Sequence, residues 1–210
     1  MLSPAALEIV FIATALALAA LIGFRVELTQ ARGGRILAFV ALFILPVLAM
    51  GLGFSEHMQR AESTRFCLSC HVMNDFGQSL YVDDPSYVPA KHFQNNLVPR
   101  EHACYTCHTD YTMFGTMHSK FRGLRHMYVQ YLGTPPASAD IKLYTPFNNR
   151  ECLHCHSGMR AFLEQPKHNK TPEMMAKINS NQMSCMNSKC HDTVHDVGTL
   201  KDATFWKAGQ

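Results

Sequence analysis

Cys67-Leu68-Ser69-Cys70-His71 is a Cys-x-x-Cys-His run, and the 210-residue chain echoes it three times. Two thiols at this spacing add to the vinyl groups of a porphyrin, and the histidine that follows then lies beneath the iron. Such a run is therefore an attachment site for c-type haem. The echoes are Cys104-Tyr105-Thr106-Cys107-His108, Cys152-Leu153-His154-Cys155-His156 and a widened form, Cys185-Met186-Asn187-Ser188-Lys189-Cys190-His191. The last has four residues between its cysteines, which a haem still accepts if the extra pair bulges outward. All eight cysteines are used in these four pairs. A disulfide framework also uses an even count, but it gives no reason for a histidine after the second cysteine of every pair. Structural zinc takes Cys and His as well, and the fourfold register of the histidine argues against it equally.

The first fifty-four residues are a different material. Residues 5–24 are apolar apart from Glu8 and Thr14, and residues 36–54 carry no charge, so each stretch is near the twenty residues that cross a bilayer as a helix. The loop between them, residues 25–35, holds Arg25, Arg32 and Arg35 against Glu27, while the extreme N-terminus has no Lys or Arg. The positive-inside rule puts that loop in the cytoplasm and both termini in the periplasm. The first span lacks a basic n-region and the second lacks a small-x-small cleavage site before Ser55, so retained anchors are expected rather than a signal peptide. Residues 1–54 thus read as a membrane anchor and residues 55–210 as a periplasmic tetrahaem domain.

From Ser55 onward the chain has little apolar periodicity and cannot build a large core from side chains alone. Four porphyrins would supply the missing apolar volume. The expected fold is mainly α, loop-rich and dependent on its cofactors. Basic and acidic residues nearly balance there, and haem propionates would turn the assembly acidic, so nucleic-acid binding has no support. Residues 81–89 and 133–139 read as loops, and Thr116 to Tyr131 is the best helix outside the membrane, with Gly133 and Pro135 as stop signals. His118, Arg122 and His126 share a face of it.

Four histidines, His71, His108, His156 and His191, belong to the motifs. The other eight are His57, His92, His102, His118, His126, His154, His168 and His195, and low-spin haems need a second axial ligand, His or Met, from such a pool. Met73, two residues after His71, is a further candidate.

The run Cys67 to Met73, the three later sites and Leu132-Gly133 after the helix together resemble the NapC/NirT family of tetrahaem quinol dehydrogenases, over roughly residues 54–197. The resemblance implies two dihaem halves in the periplasm, electrons drawn from membrane quinol, with menaquinol expected, and delivery to a periplasmic reductase or cytochrome. It implies that the first haem lies nearest the quinol. It also implies that His92 caps a distant haem, the fourth, and that His195 caps the third. Ser119 or Lys120 falls where some members place a lysine on the second haem, with His118 one step away, and His126 falls where many carry an aspartate beside the first haem. Lys120 and His126 are thus candidates for the quinol site. The chain departs from the family in its second anchor helix, its widened fourth site and the histidine at the aspartate position. An alternative reading makes it a haem relay within a larger membrane complex whose other subunit handles quinol.

Two measurements check these expectations. The intact protein should exceed its polypeptide mass by four haem masses, and a mass with three would mean that the site at Cys185 to His191 is empty. A reporter placed near Gly33 should be active only in the cytoplasm and one after Gln210 only in the periplasm, and a mature N-terminus at or beyond Ser55 would remove the two-anchor arrangement.

Overall fold

The computed structural model describes residues 3–187, 189–192 and 194–207. Ser188 of the widened motif and the last three residues of the expected periplasmic domain lie outside them. The chain divides into two compact units that meet in sequence between Ala61 and Glu62.

The first unit is a pair of long helices. Helix α1 spans Pro4–Phe24; Ser3 caps it by accepting from the Ala6 N–H at 3.2 Å, and Pro4 sits where its missing N–H costs nothing. It is apolar all round, and residues such as Leu16 and Phe24 are exposed, which suits lipid rather than water. Helix α2 runs Arg32–Arg60. Both helices are long and apolar enough to cross a membrane. Pro46 in α2 cannot donate to the helix ladder and its ring crowds the preceding turn. The chain meets this with a π-helical turn at Val40–Ile44, in which the Leu45 N–H reaches back to the Val40 carbonyl. Helix α2 continues past residue 54 through a polar last turn, where Glu56 and Arg60 pair at 2.9 Å, so the unit boundary falls later than the apolar run alone implies. The Glu8 carboxylate of α1 lies over Gly53 of α2, where a Cβ would stand 2.6 Å from it.

The second unit is mainly helical, with short helices strung on irregular loops. In chain order these are α3 (Thr64–Cys67), α4 (Asn74–Ser79), α5 (Val88–Gln94), α6 (Ala103–His108), α7 (Gly115–Leu132), α8 (Arg150–His156), α9 (Arg160–Leu163) and α10 (Met174–Asn179). Extended pairing among the described residues is limited to an isolated bridge between Val82 and Phe205. Helix α7 fits the expected limits to within a residue at each end. Pro89, expected in a loop, instead opens α5, since its fixed φ is already helical at a first turn.

The apolar core is small. Leu80, Phe93, Val98 and Ala103 form one buried cluster, and Val82, Tyr87, Ala90 and Leu200 a second, with Val197 and Ala203 packed against it. The second cluster joins the C-terminal segment to the chain before α5. The same tie is reinforced by Trp206, whose N–H donates to the Tyr81 carbonyl at 2.7 Å and whose ring stacks on Tyr81. Arg100 lies over the rings of both Phe93 and Trp206.

Candidate haem sites

The first two motifs are held together by one buried threonine. Ser63 caps α3 by accepting from the Phe66 N–H at 3.1 Å, which places Thr64 on the inner side. The Thr64 hydroxyl donates to the Arg100 carbonyl at 2.7 Å and accepts from the Ala103 N–H at 2.8 Å, so the helix leading to Cys67 is bolted to the start of α6, which contains the whole second motif. Cys67 and Cys104 then fall within hydrogen-bonding reach of one another, and that bond is the largest reason the Cys67 thiol is pushed up and the Cys104 thiol down.

The third and fourth motifs repeat this device. Asn149 is 1% exposed and stands three residues before Cys152, as Thr64 stands three before Cys67. Its side-chain amide donates to the Ile178 carbonyl at 2.8 Å and the Met183 carbonyl at 2.6 Å, and its oxygen accepts from the Cys185 N–H at 2.8 Å. Its own N–H donates to Asn181, which takes the left-handed backbone at φ 60. The result brings Cys152 and Cys185 together, again with a thiol–thiol hydrogen bond. Cys107 and Cys155 lie within electrostatic range of each other, linking the second site to the third. In the widened motif the His191 N–H donates to the Cys185 carbonyl at 3.1 Å and the Cys190 N–H to Asn187 at 2.8 Å, so the ends of the loop stay joined while its middle is longer. None of the eight cysteines is joined in a disulfide.

The imidazoles decide whether haem fits. Among the described residues no three His, Cys, Asp or Glu side chains converge into a metal cage. Histidines instead face each other in twos. His108 and His195 have ring centres 6.2 Å apart, His92 and His156 5.9 Å, and His168 and His191 6.3 Å. An imidazole nitrogen bonds a first-row metal at about 2.0 Å, and the ring centre lies roughly another ångström behind it, so two rings either side of one iron have centres about 6 Å apart. Each pair has that separation. The non-motif ring of every pair also has its Nδ1 occupied: on the Val88 carbonyl at 2.8 Å for His92, on the Phe162 carbonyl at 3.0 Å for His168, and on Ser79 at 2.7 Å for His195. A metal-bound histidine normally donates its other N–H in this way, leaving Nε2 for the metal. Burial holds His195 down at about 4, with His108 adding a smaller push. Burial, then the neighbouring imidazoles, also lowers His156 and His191. The shifts favour the neutral imidazole, the form that ligates a metal. The residues present fit haem.

This arrangement redistributes the sequence expectations. His92, expected against the fourth site, faces the histidine of the third, because α5 carries it there with its Nδ1 anchored one turn back. His195, expected at the third, faces the second, because Ser79 of α4 holds it. His168 had no assigned place and faces the fourth. Among the described residues His71 is the one motif histidine without a second imidazole; Met73 closes the same 3-10 turn, its N–H donating to the Cys70 carbonyl at 2.9 Å. His118 lies 3.3 Å from Asp110 rather than against another imidazole. His126, expected beside the first site, packs 5.0 Å from the Tyr144 ring and within electrostatic range of His108. Lys120 lies in electrostatic range of Cys67, with Glu62 at 3.8 Å and the Tyr105 ring beneath it at 4.5 Å. Thr64, Ser79 and Asn149 were not read from the sequence, although the repeated polar residue three before a first cysteine was a usable signal. Gly115, which starts α7, is required where the Asp110 carbonyl occupies the space of a Cβ.

Cysteine pairs each followed by a histidine, on a helical, loop-rich scaffold with imidazoles set an iron's width apart, define a c-type cytochrome. The model of the NapC/NirT cytochrome c family, N-terminal region, matches residues 29–199, and the chain belongs to that family. It is similar to the cytochrome c-type protein NapC of Escherichia coli, at 26% identity over 117 residues, 50% of this chain and 55% of NapC. It is also similar to the denitrification system component NirT of Stutzerimonas stutzeri, at 24% over 153 residues, 66% of this chain and 73% of NirT. The chain thus spans about half the length of the NapC sequences it matches. No solved structure matches it.

Replacing Asn149 with alanine leaves the Cys185 N–H and the Ile178 and Met183 carbonyls without their partner, at about 1–3 kcal/mol for each buried orphan. Urea unfolding of the haem-loaded protein should show a loss of at least about 3 kcal/mol, and a loss under about 1 kcal/mol would show that Asn149 does not hold the third and fourth sites together.

Proposed function

We propose that the chain takes electrons from membrane quinol, menaquinol foremost, and passes them through four covalently attached c-type haems to a periplasmic reductase or cytochrome. The observation that carries this reading is the order in which the attachment loops neighbour one another: Cys67 hydrogen-bonded with Cys104, Cys107 in electrostatic range of Cys155, and Cys152 hydrogen-bonded with Cys185. Each site therefore abuts the next in sequence, giving a single line from the first to the fourth. When bound, haem iron supplies one-electron chemistry by alternating between its ferric and ferrous states. The family membership and the likeness to a denitrification component support a respiratory role. The two apolar helices serve as anchors in the bacterial inner membrane, with Arg25, Arg32 and Arg35 on the cytoplasmic side and the second unit in the periplasm.

Lys120 is the residue proposed to meet quinol. Burial pushes its amine below the ordinary lysine range, against the opposing pull of Glu62. A partly desolvated ammonium holds an oxygen on which negative charge develops as a proton departs, and the Glu62 carboxylate beside it can take that proton. His126, beside Tyr144 and in electrostatic range of His108, is the second residue proposed for the quinol site. Met73 is the proposed second ligand at the first site.

A reduced menaquinone analogue added to the isolated holoprotein should reduce its haems within seconds. Lys120→Gln should slow that reduction at least about tenfold while leaving the oxidised spectrum unchanged, since loss of one preorganised charged contact removes about 1.4 kcal/mol or more of transition-state stabilisation. A protein that stays oxidised until a second membrane subunit is supplied would overturn the quinol-oxidising role and leave the relay subunit.

A further inference from the structure

The second site is the one whose distal partner departs furthest from what the family resemblance implies, and its geometry is the most constrained. Lys120 is engaged with Glu62 and Tyr105, and His118 with Asp110. His195 faces His108 instead. Three independent features hold it there. Ser79 is 0% exposed, and its hydroxyl donates to the Phe76 carbonyl at 2.6 Å, so its oxygen can only accept from the imidazole. The Nδ1–H of His195 meets that lone pair, which fixes the tautomer and turns Nε2 away from Ser79. The Phe76 ring stands edge-on to the imidazole at 5.6 Å. The backbone at His195 has φ 45, a left-handed conformation that a residue with a side chain adopts only when its surroundings demand it.

The three facing pairs also differ in one angle. The ring planes of His108 and His195 lie 22° apart, whereas those of His92 and His156 lie 78° apart and those of His168 and His191 63° apart. An imidazole donates from its π system into whichever iron d orbital lies perpendicular to its plane. Two nearly parallel rings raise the same orbital and split the pair widely. Two crossed rings raise one each and leave them nearly level. Low-spin ferric haem reports this difference directly: parallel ligands give a rhombic paramagnetic resonance signal, crossed ligands a strongly axial one at lower field.

We propose that His195 is the distal ligand of the second-site haem iron, in a near-parallel arrangement with His108 that sets this haem apart from crossed bis-histidine haems at the third site, His92 with His156, and the fourth, His168 with His191. This rests on the reading of the chain as a carrier of four haems. The parallel pair is made by Ser79: without its acceptor the His195 ring would be free to turn about its own Cβ bond.

The test is electron paramagnetic resonance of the oxidised, full-length holoprotein, alongside its intact mass. The expected spectrum has three bis-histidine low-spin signals, one rhombic and two strongly axial, beside a separate low-spin signal from the first-site haem between His71 and Met73. In His195→Gly the rhombic bis-histidine signal should disappear in favour of a high-spin one, with the axial pair and the first-site signal unchanged, the mass still showing four haems, and added imidazole restoring low spin. In Ser79→Ala, which keeps the ligand, the rhombic signal alone should move or broaden. Three signals of one type in the native protein, or a rhombic signal that survives His195→Gly and is lost in Lys120→Ala or His118→Ala, would overturn the assignment. Four haems by mass with the wrong signals defeats only this proposal, whereas fewer than four defeats the carrier reading with it. None of these readouts depends on quinol oxidation.

Discussion

Two buried side chains, Thr64 and Asn149, carry the constraint on which the second unit depends. Each stands three residues before the first cysteine of a motif and spends its polar atoms on the backbone of the next motif, 36 residues on in both the Thr64–Arg100 and the Asn149–Cys185 contacts. Buried donors and acceptors that lose such partners are costly, so the spacing between neighbouring attachment loops is held by hydrogen bonding rather than by apolar packing. The two apolar clusters are too small to do this, and they lie around α5 and the C-terminal segment rather than between the cysteines. The chain is a scaffold whose rigid points are placed where the haem-bearing loops meet.

The second constraint is electrostatic. His108, His156, His191 and His195 are lowered, chiefly by burial and then by one another or their neighbours. Crowding imidazoles makes their charged forms unfavourable, and the neutral form is the one with a lone pair to give to a metal. Lys120 is lowered by the same desolvation, against the opposing pull of Glu62. One physical effect, the removal of water, therefore acts on the imidazoles of three sites and on the amine of Lys120.

The line of contacts from Cys67 through Cys104, Cys107, Cys155, Cys152 and Cys185 gives the proposed electron path its direction in the chain. Neighbouring sites along it are bridged by sulfur contacts or close electrostatic neighbours. The widened fourth loop does not interrupt this, because its ends remain joined through His191 and Cys185.

The sequence by itself determined the chemistry and the materials: four thiol pairs each followed by histidine, two apolar stretches of membrane length, and a long helix at residues 116–131 closed by Gly133 and Pro135. Those signals are local, because covalent attachment needs a fixed spacing along the chain, a bilayer needs a fixed run of apolar residues, and a helix ends where glycine and proline forbid its continuation. Only the tertiary structure decided which histidine faces which. His92, His168 and His195 are indistinguishable as letters from His57 or His102, and what separates them is a second ring an iron's width away. That second ring comes from another segment of the chain, and for His195 the Nδ1 acceptor does too, Ser79 being 116 residues distant. The same holds for His126, which the helix register allowed to face any neighbour and which packing set against Tyr144. Periodicity along a chain fixes a face; the partner of that face is fixed by long-range packing, which no local pattern records.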